Sequence, residues 1–200
     1  MKVRHHWQLS LAAVTHHLLQ FPGALLEMAA LRIWPYQMQH GIAVMDVNPR
    51  TREQFGLVIA IALNLIRVND PRCFARVQRE IRAIMHIPSR NGGQYTRLTK
   101  VCTIDLRPFS LVSDQELRMQ LVACTIVFLA TGGYFCRHGV FPTRRNHPRL
   151  EHACYAETVR FGKRIGLENS PWDSPPEARD TLIVKLRFAW NEIRDLWKHS

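Results

Sequence analysis

The stretch Ser113 to Phe135, SDQELRMQLVACTIVFLATGGYF, constrains this chain more than any other, because it holds the longest apolar run and the clearest helix start. Ser113 followed by Glu116 reads as a capping box, with the hydroxyl accepting from the Glu116 backbone N–H and the Glu116 carboxylate returning to the Ser113 N–H. A helix is therefore expected from Asp114. Between Leu121 and Phe135 no side chain carries a charge, so the helix has no polar face and needs protein on all sides. It falls about one turn short of a membrane span on this reading, and no transmembrane segment is expected.

Around that helix the sequence reads as a helix-rich α+β single domain, 1–200, with a small sheet packed on the buried central helix. A chain of 200 residues, 46% of them hydrophobic, suffices for one substantial core. Residues 1–35 read as an amino-terminal helical extension, kinked at Phe21-Pro22-Gly23 because Pro22 removes a backbone donor. The basic start KVRHH is followed by an apolar run that His16 and His17 interrupt, which argues against an export signal. Residues 40–47, HGIAVMDV, predict a strand, and Asn48-Pro49 a helix start. The helix that follows is apolar on nearly every face from Phe55 to Ile66, which predicts a central position.

Asp70 is expected to cap the next helix. There Phe74, Val77, Ile81 and Ile84 recur at helical spacing, while Arg72, Arg76, Arg79 and Arg82 form a solvated face with no interleaved aromatic residue. PSRNGG, 88–93, predicts a turn, and 100–106, KVCTIDL, a second strand. Gly132-Gly133 is expected to loosen or end the central helix, at about 1 kcal/mol per glycine relative to alanine. A further helix runs from about His147 to Ile165, with Leu150, Cys154 and Phe161 on one face. Residues 171–200 read as a carboxy-terminal docking helix whose stripe is Leu182, Leu186, Ala189, Ile193 and Trp197.

Two segments carry a family resemblance. TIVFLATGGYFCRHGV and HPRLEHACYAETVRFGKRI resemble uncharacterised bacterial zincin-like proteins, in which a buried helix reads V-H-E-A-T-H-G and a second helix carries R-x-E-x-x-C-x-x-E. DVNPRT, ALNLIRVNDPRCFARV and CTIDL extend the resemblance upstream. In that pattern two histidines one turn apart bind zinc, and the glutamate beside the first polarises the metal-bound water. The five motif positions here are Phe128, Leu129, Ala130, Thr131 and Gly132, so the Ala-Thr centre is kept and the donors are absent. Glu151 and Glu157 are the carboxylates that the resemblance places near the metal.

The resemblance therefore implies a non-catalytic, pseudo-metallopeptidase module kept for binding a protein or ligand, with no cofactor. One alternative is a zinc-dependent hydrolase with displaced ligands, drawn from His138, His147, His152, Glu151, Glu157 or Cys154. His147 and Glu151 stand four apart, which places them on one helical face. Another alternative is a basic peripheral protein: a formal charge of +11 attracts anionic lipid or nucleic acid. The five cysteines, Cys73, Cys102, Cys124, Cys136 and Cys154, form no C-x-x-C pair, which fits reduced thiols in the cytoplasm. Cys136, beside Arg137 and His138, is the best candidate for a reactive thiol, with a structural thiol the safer assignment for it and more so for Cys124. No glycine-rich phosphate loop, dinucleotide fingerprint or G-x-S-x-G is present.

Overall fold

The computed structural model describes residues 29, 31–87, 93–110, 112–140 and 147–167. Most of the amino-terminal extension 1–35, the 88–93 turn apart from Gly93, and the docking helix of 171–200 lie outside the described residues. What is described is a helix-rich α+β domain built on a mixed five-stranded sheet.

Strands β1 (Gln37–Gln39) and β2 (Ile42–Asp46) form a hairpin. Its two-residue turn, His40-Gly41, takes positive φ at both positions (52° and 82°), the conformation that matches the twist of the flanking strands. Helices α1 (Arg52–Asn69) and α2 (Pro71–Glu80) then cross over to β3 (Ala83–His86). Next come β4 (Gly93–Thr96), β5 (Val101–Ile104), the single turn α3 (Arg107–Ser110), the central helix α4 (Gln115–Arg137) and α5 (His147–Arg164). The sheet order is β1-β2-β3-β5-β4, with β2, β3 and β5 parallel and both edge strands antiparallel.

Strand alternation divides the sheet into two faces. Ile42, Val44, Ile84, Cys102 and Ile104 point to the main core, where α1, α2, α4 and α5 pack. Ala43, Met45, Ala83, Met85 and Val101 point the other way and are buried too, with Leu31 and Ile87 against them. Burial on both faces is why these strands read as continuous apolar runs. Helix α4 lies against α1, α2, α5 and the edge strand β4. At 23 residues it is long and apolar enough to cross a membrane by length and composition, but 67% of its apolar window is buried inside the fold, as a core helix requires. No other helix among the described residues meets that standard of length and apolarity.

Several boundaries differ from the sequence expectations, each for a local reason. Asp114, not Ser113, caps α4: its carboxylate accepts from the N–H groups of Glu116 (2.8 Å) and Leu117 (3.2 Å). The helix continues through Gly132-Gly133 to Arg137, because packing on its neighbours outweighs the local propensity. Asn48 does not cap α1; its N–H and side chain build the turn that leads to Thr51, and the helix starts at Arg52. Nor is α1 enclosed on every side, since Leu57 and Val68 are largely exposed. Ile84 lies on a strand rather than on α2: Ile81 is already extended (φ −112°, ψ 116°), and Ala83–His86 pairs with strands on both sides. The Asp70 cap holds, its carboxylate accepting from the Cys73 N–H at 3.0 Å, and so does the helix from His147.

Candidate functional site

The motif positions sit in the second half of α4, between the edge strand β4, helix α2 and helix α5. Leu129 is buried, with its Cδ1 facing the backbone of Gly93 on β4. Phe128 is half-buried against the main core. Gly132 faces open space, whereas a Cβ on Gly133 would stand 2.7 Å from the Tyr95 ring. Tyr95 is fixed from the other side by donating its hydroxyl to the Glu80 carbonyl at 3.0 Å. Burial, reinforced by the Glu80 charge, holds that phenol protonated well above its usual range.

Where the resemblance would place a metal, a guanidinium is found. Arg76, from the middle of α2, puts Nη1 3.2 Å from the Thr131 hydroxyl and 3.3 Å from Oε2 of Glu157. Arg160 takes the other Glu157 oxygen at 2.9 Å. These residues do not fit a zinc ion, since Phe128, Leu129 and Gly132 carry no donor atom and Glu157 is held by two cations.

The other predicted ligands are dispersed. Glu151 is six residues from Glu157 on α5, about 240° around the helix axis at about 100° per residue, so the two carboxylates do not converge. His152 is exposed, and the His147 side chain lies outside the described residues. His138 is exposed, with Nδ1 2.9 Å from the Tyr134 carbonyl. Cys154 is buried, and burial pushes its thiol up to about 12. Cys136 is buried as well, and desolvation raises its thiol despite a nearby arginine, so the reactive-thiol alternative has no support in its surroundings. No group of three or more metal-binding side chains is found among the described residues.

Sequence reasoning missed the cluster that extends this neighbourhood. Tyr134, one helical turn before His138, is ringed by guanidinium carbons: Arg76 at 5.5 Å, Arg79 at 5.6 Å and Arg137 at 6.0 Å from the ring centroid. Arg79 and Arg137 each place Nε 2.9 Å from the same oxygen of Glu80, a carboxylate with no solvent exposure. The second Glu80 oxygen is buried without a hydrogen-bond partner among the described residues. So the α2 arginines do not form a plain solvated face. Their aromatic partner comes from another helix, and its signal in the sequence was the pair Tyr134 and Arg137 at helical spacing.

A second polar cluster lies at the carboxyl ends of the parallel strands, where open α/β sheets commonly hold ligands. Asp46 on β2 is buried and accepts from the Asn48 N–H (2.9 Å) and the Thr51 hydroxyl (2.6 Å), and stands 3.0 Å from Nδ1 of His86 on β3. His86 stacks on Phe55. With three local partners, the Asp46 carboxylate is occupied in fastening the β2–α1 turn to β3. Comparison with family models, curated proteins and solved structures finds no match to this chain.

Proposed function

We propose that this chain is a non-catalytic module of zincin-like ancestry, kept for binding. The observation that carries the reading is Arg76, whose guanidinium sits between Thr131 of the motif helix and Glu157, the family carboxylate on α5. A divalent cation there would meet a fixed positive charge within a few ångströms and would have to compete for the one remaining acidic ligand. The apolar replacements act in the same direction. Leu129 buries hydrocarbon where the pattern has a hydrated glutamate, and each such side chain stabilises a fold by about 1.5–3 kcal/mol. The five cysteines are all free and buried, which supports placement in a reducing compartment such as the cytoplasm.

The test is metal stoichiometry by plasma mass spectrometry on untagged protein incubated with zinc and dialysed. The wild-type protein is expected to retain no stoichiometric zinc. A variant carrying Phe128→His, Gly132→His and Arg76→Gln supplies two imidazoles one turn apart and frees the Glu157 oxygen that Arg76 holds, and is expected to hold one zinc per chain. One zinc retained by the wild-type protein would overturn the reading, and a zinc-free triple variant would remove the assignment of the motif positions.

A second reading, contact with anionic lipid or nucleic acid, is favoured by the arginines around Tyr134. It predicts binding that falls steeply with added salt.

A further inference from the structure

Arg79 and Arg137 are arranged differently from a surface ion pair. Each approaches Glu80 through Nε alone, on one shared oxygen, and the two side chains are 49% and 41% exposed. Among the described residues their Nη groups have no hydrogen-bond partner, so each guanidinium keeps a donor edge for something else. The buried carboxylate fixes both forks in advance, which removes much of the rotamer entropy a ligand would otherwise have to overcome. Tyr134, half-buried, lies beside both of them and beside Arg76.

Charge and size then select the ligand. Arg76, Arg79, Arg137 and Arg160 face two carboxylates, Glu80 and Glu157, which leaves two positive charges on the cluster. Guanidinium forks match the oxygens of phosphate in pairs, a geometry that ammonium groups do not reproduce. Three guanidinium carbons lie within 6.0 Å of one ring centroid, so the cluster suits one compact group rather than a track of backbone phosphates. We propose that the Arg79–Arg137 pair on Glu80, with Tyr134 beside it, is a binding site for a terminal phosphate group, a phosphomonoester dianion. The group could be borne by a small molecule or by a lipid head. This inference rests on the reading of the chain as a binding module, and the two are judged by different readouts: metal content for one, phosphate saturation for the other.

The experiment is a titration of nitrogen-15-labelled full chain with inorganic phosphate and pyrophosphate, at ionic strength held constant with sodium chloride, following the arginine Nε–Hε resonances. The Arg79 and Arg137 signals are expected to shift together and saturate, with half-saturation at or below about 1 mM. The variant R79K/R137K keeps both charges beside Glu80 and is expected to bind at least about tenfold more weakly, because the forks are gone. Arg149→Gln, on exposed α5 surface, is the control and leaves binding unchanged. A parallel arm uses phosphatidylcholine vesicles with and without phosphatidic acid. Binding confined to the phosphatidic acid vesicles, and lost in R79K/R137K, assigns the site to a lipid head. Saturation with free phosphate assigns it to a soluble ligand. Equal binding by R79K/R137K, or the lack of both saturable shifts with free phosphate and binding to phosphatidic acid vesicles, would overturn the proposal, and the two wild-type arms decide this even if the double variant does not fold.

Discussion

Adjacent glycines on α4 provide a sharp test of how the central helix meets the edge strand. Gly132 and Gly133 sit in the same helix, so replacing either by alanine gains the same propensity, about 1 kcal/mol in a helix interior. They differ in what the added methyl group meets. At Gly132 nothing lies within 4 Å; at Gly133 the ideal Cβ stands 2.7 Å from Cζ and 2.9 Å from the hydroxyl oxygen of Tyr95. Ordinary carbon contact is about 3.5 Å, so the ring would have to retreat by roughly 0.8 Å. It has little freedom to do so, because its hydroxyl is tied to the Glu80 carbonyl and its backbone is paired with β5. Overpacking of this kind costs about 1–3 kcal/mol, and loss of the hydroxyl bond adds about 1 kcal/mol. Gly132→Ala should therefore stabilise the domain by about 0.5–1 kcal/mol, and Gly133→Ala should destabilise it by about 1–3 kcal/mol after the propensity gain is subtracted. The assay is urea unfolding followed by far-ultraviolet circular dichroism, with the slope checked for constancy. In a Tyr95→Ala background, Gly133→Ala should turn from a loss into a gain, a coupling of at least about 1 kcal/mol. If the two alanine variants behave alike in the wild-type background, Tyr95 does not lie on Gly133 and the placement of β4 on α4 is wrong.

Two further outcomes test the interior. Asp46→Ala removes a buried acceptor from the Asn48 N–H, the Thr51 hydroxyl and the His86 imidazole, and should lower stability by about 3 kcal/mol in the same urea assay. A loss below about 1 kcal/mol would mean that water replaces the carboxylate and that Asp46 is no fastening point. The thiols give a pH dependence of definite sign. Burial pushes Cys73, Cys124 and Cys154 up to about 12 in the folded chain, while unfolded thiols titrate near about 8.5. The folded state then holds protons that the unfolded state releases, so this stability is fully present below about pH 8.5 and is lost as pH rises from there toward 12. The urea midpoint should fall between pH 7.5 and pH 10, and a disulfide reagent at pH 8 should leave the native thiols unmodified. A flat midpoint, or rapid modification of native protein, would contradict the burial of these side chains.

How much of this was legible in the sequence depends on the range of the interactions. Local signals worked: Asp70 before Pro71 marked a cap, and the β-branched run at Ile42–Asp46 marked a strand. Strand β3 was hidden because three apolar residues soon after a helix match either period, and Ile81 and Ile84 continued the helical spacing by coincidence. Only pairing with β2 and β5 decides the matter. The arginine cluster was hidden for a different reason. Arg76 and Arg79 are a helical pair, as are Tyr134 and Arg137, but what makes a site of them is the packing of α2 on α4. That packing joins Arg76 to Thr131, 55 residues away. The neutralising residue, Glu80, reads as an ordinary charge at the end of a helix until its burial is known.

If the chain has zincin-like ancestry, as proposed, the replacement of metal ligands and the growth of an arginine cluster form one change. On the proposed reading, loss of donors at positions 128, 129 and 132 would leave Glu157, a partly buried carboxylate on α5, with Arg160 as its cation. An anion in that setting has to be paired or neutralised. Arg76 resolves this by reaching across from α2, and because its second contact is the Thr131 hydroxyl it also ties α2 to both α4 and α5. The Thr131 hydroxyl can receive that N–H because its own proton is donated back to the Val127 carbonyl at 2.8 Å. The same cation lies 5.5 Å from the Tyr134 ring, so on this reading Arg76 would link the former metal position to the aromatic ring of the proposed phosphate site. A single histidine returned to the motif would therefore not restore metal binding while Arg76 remains. Zinc binding is expected only where the ligands are restored and the guanidinium is removed together.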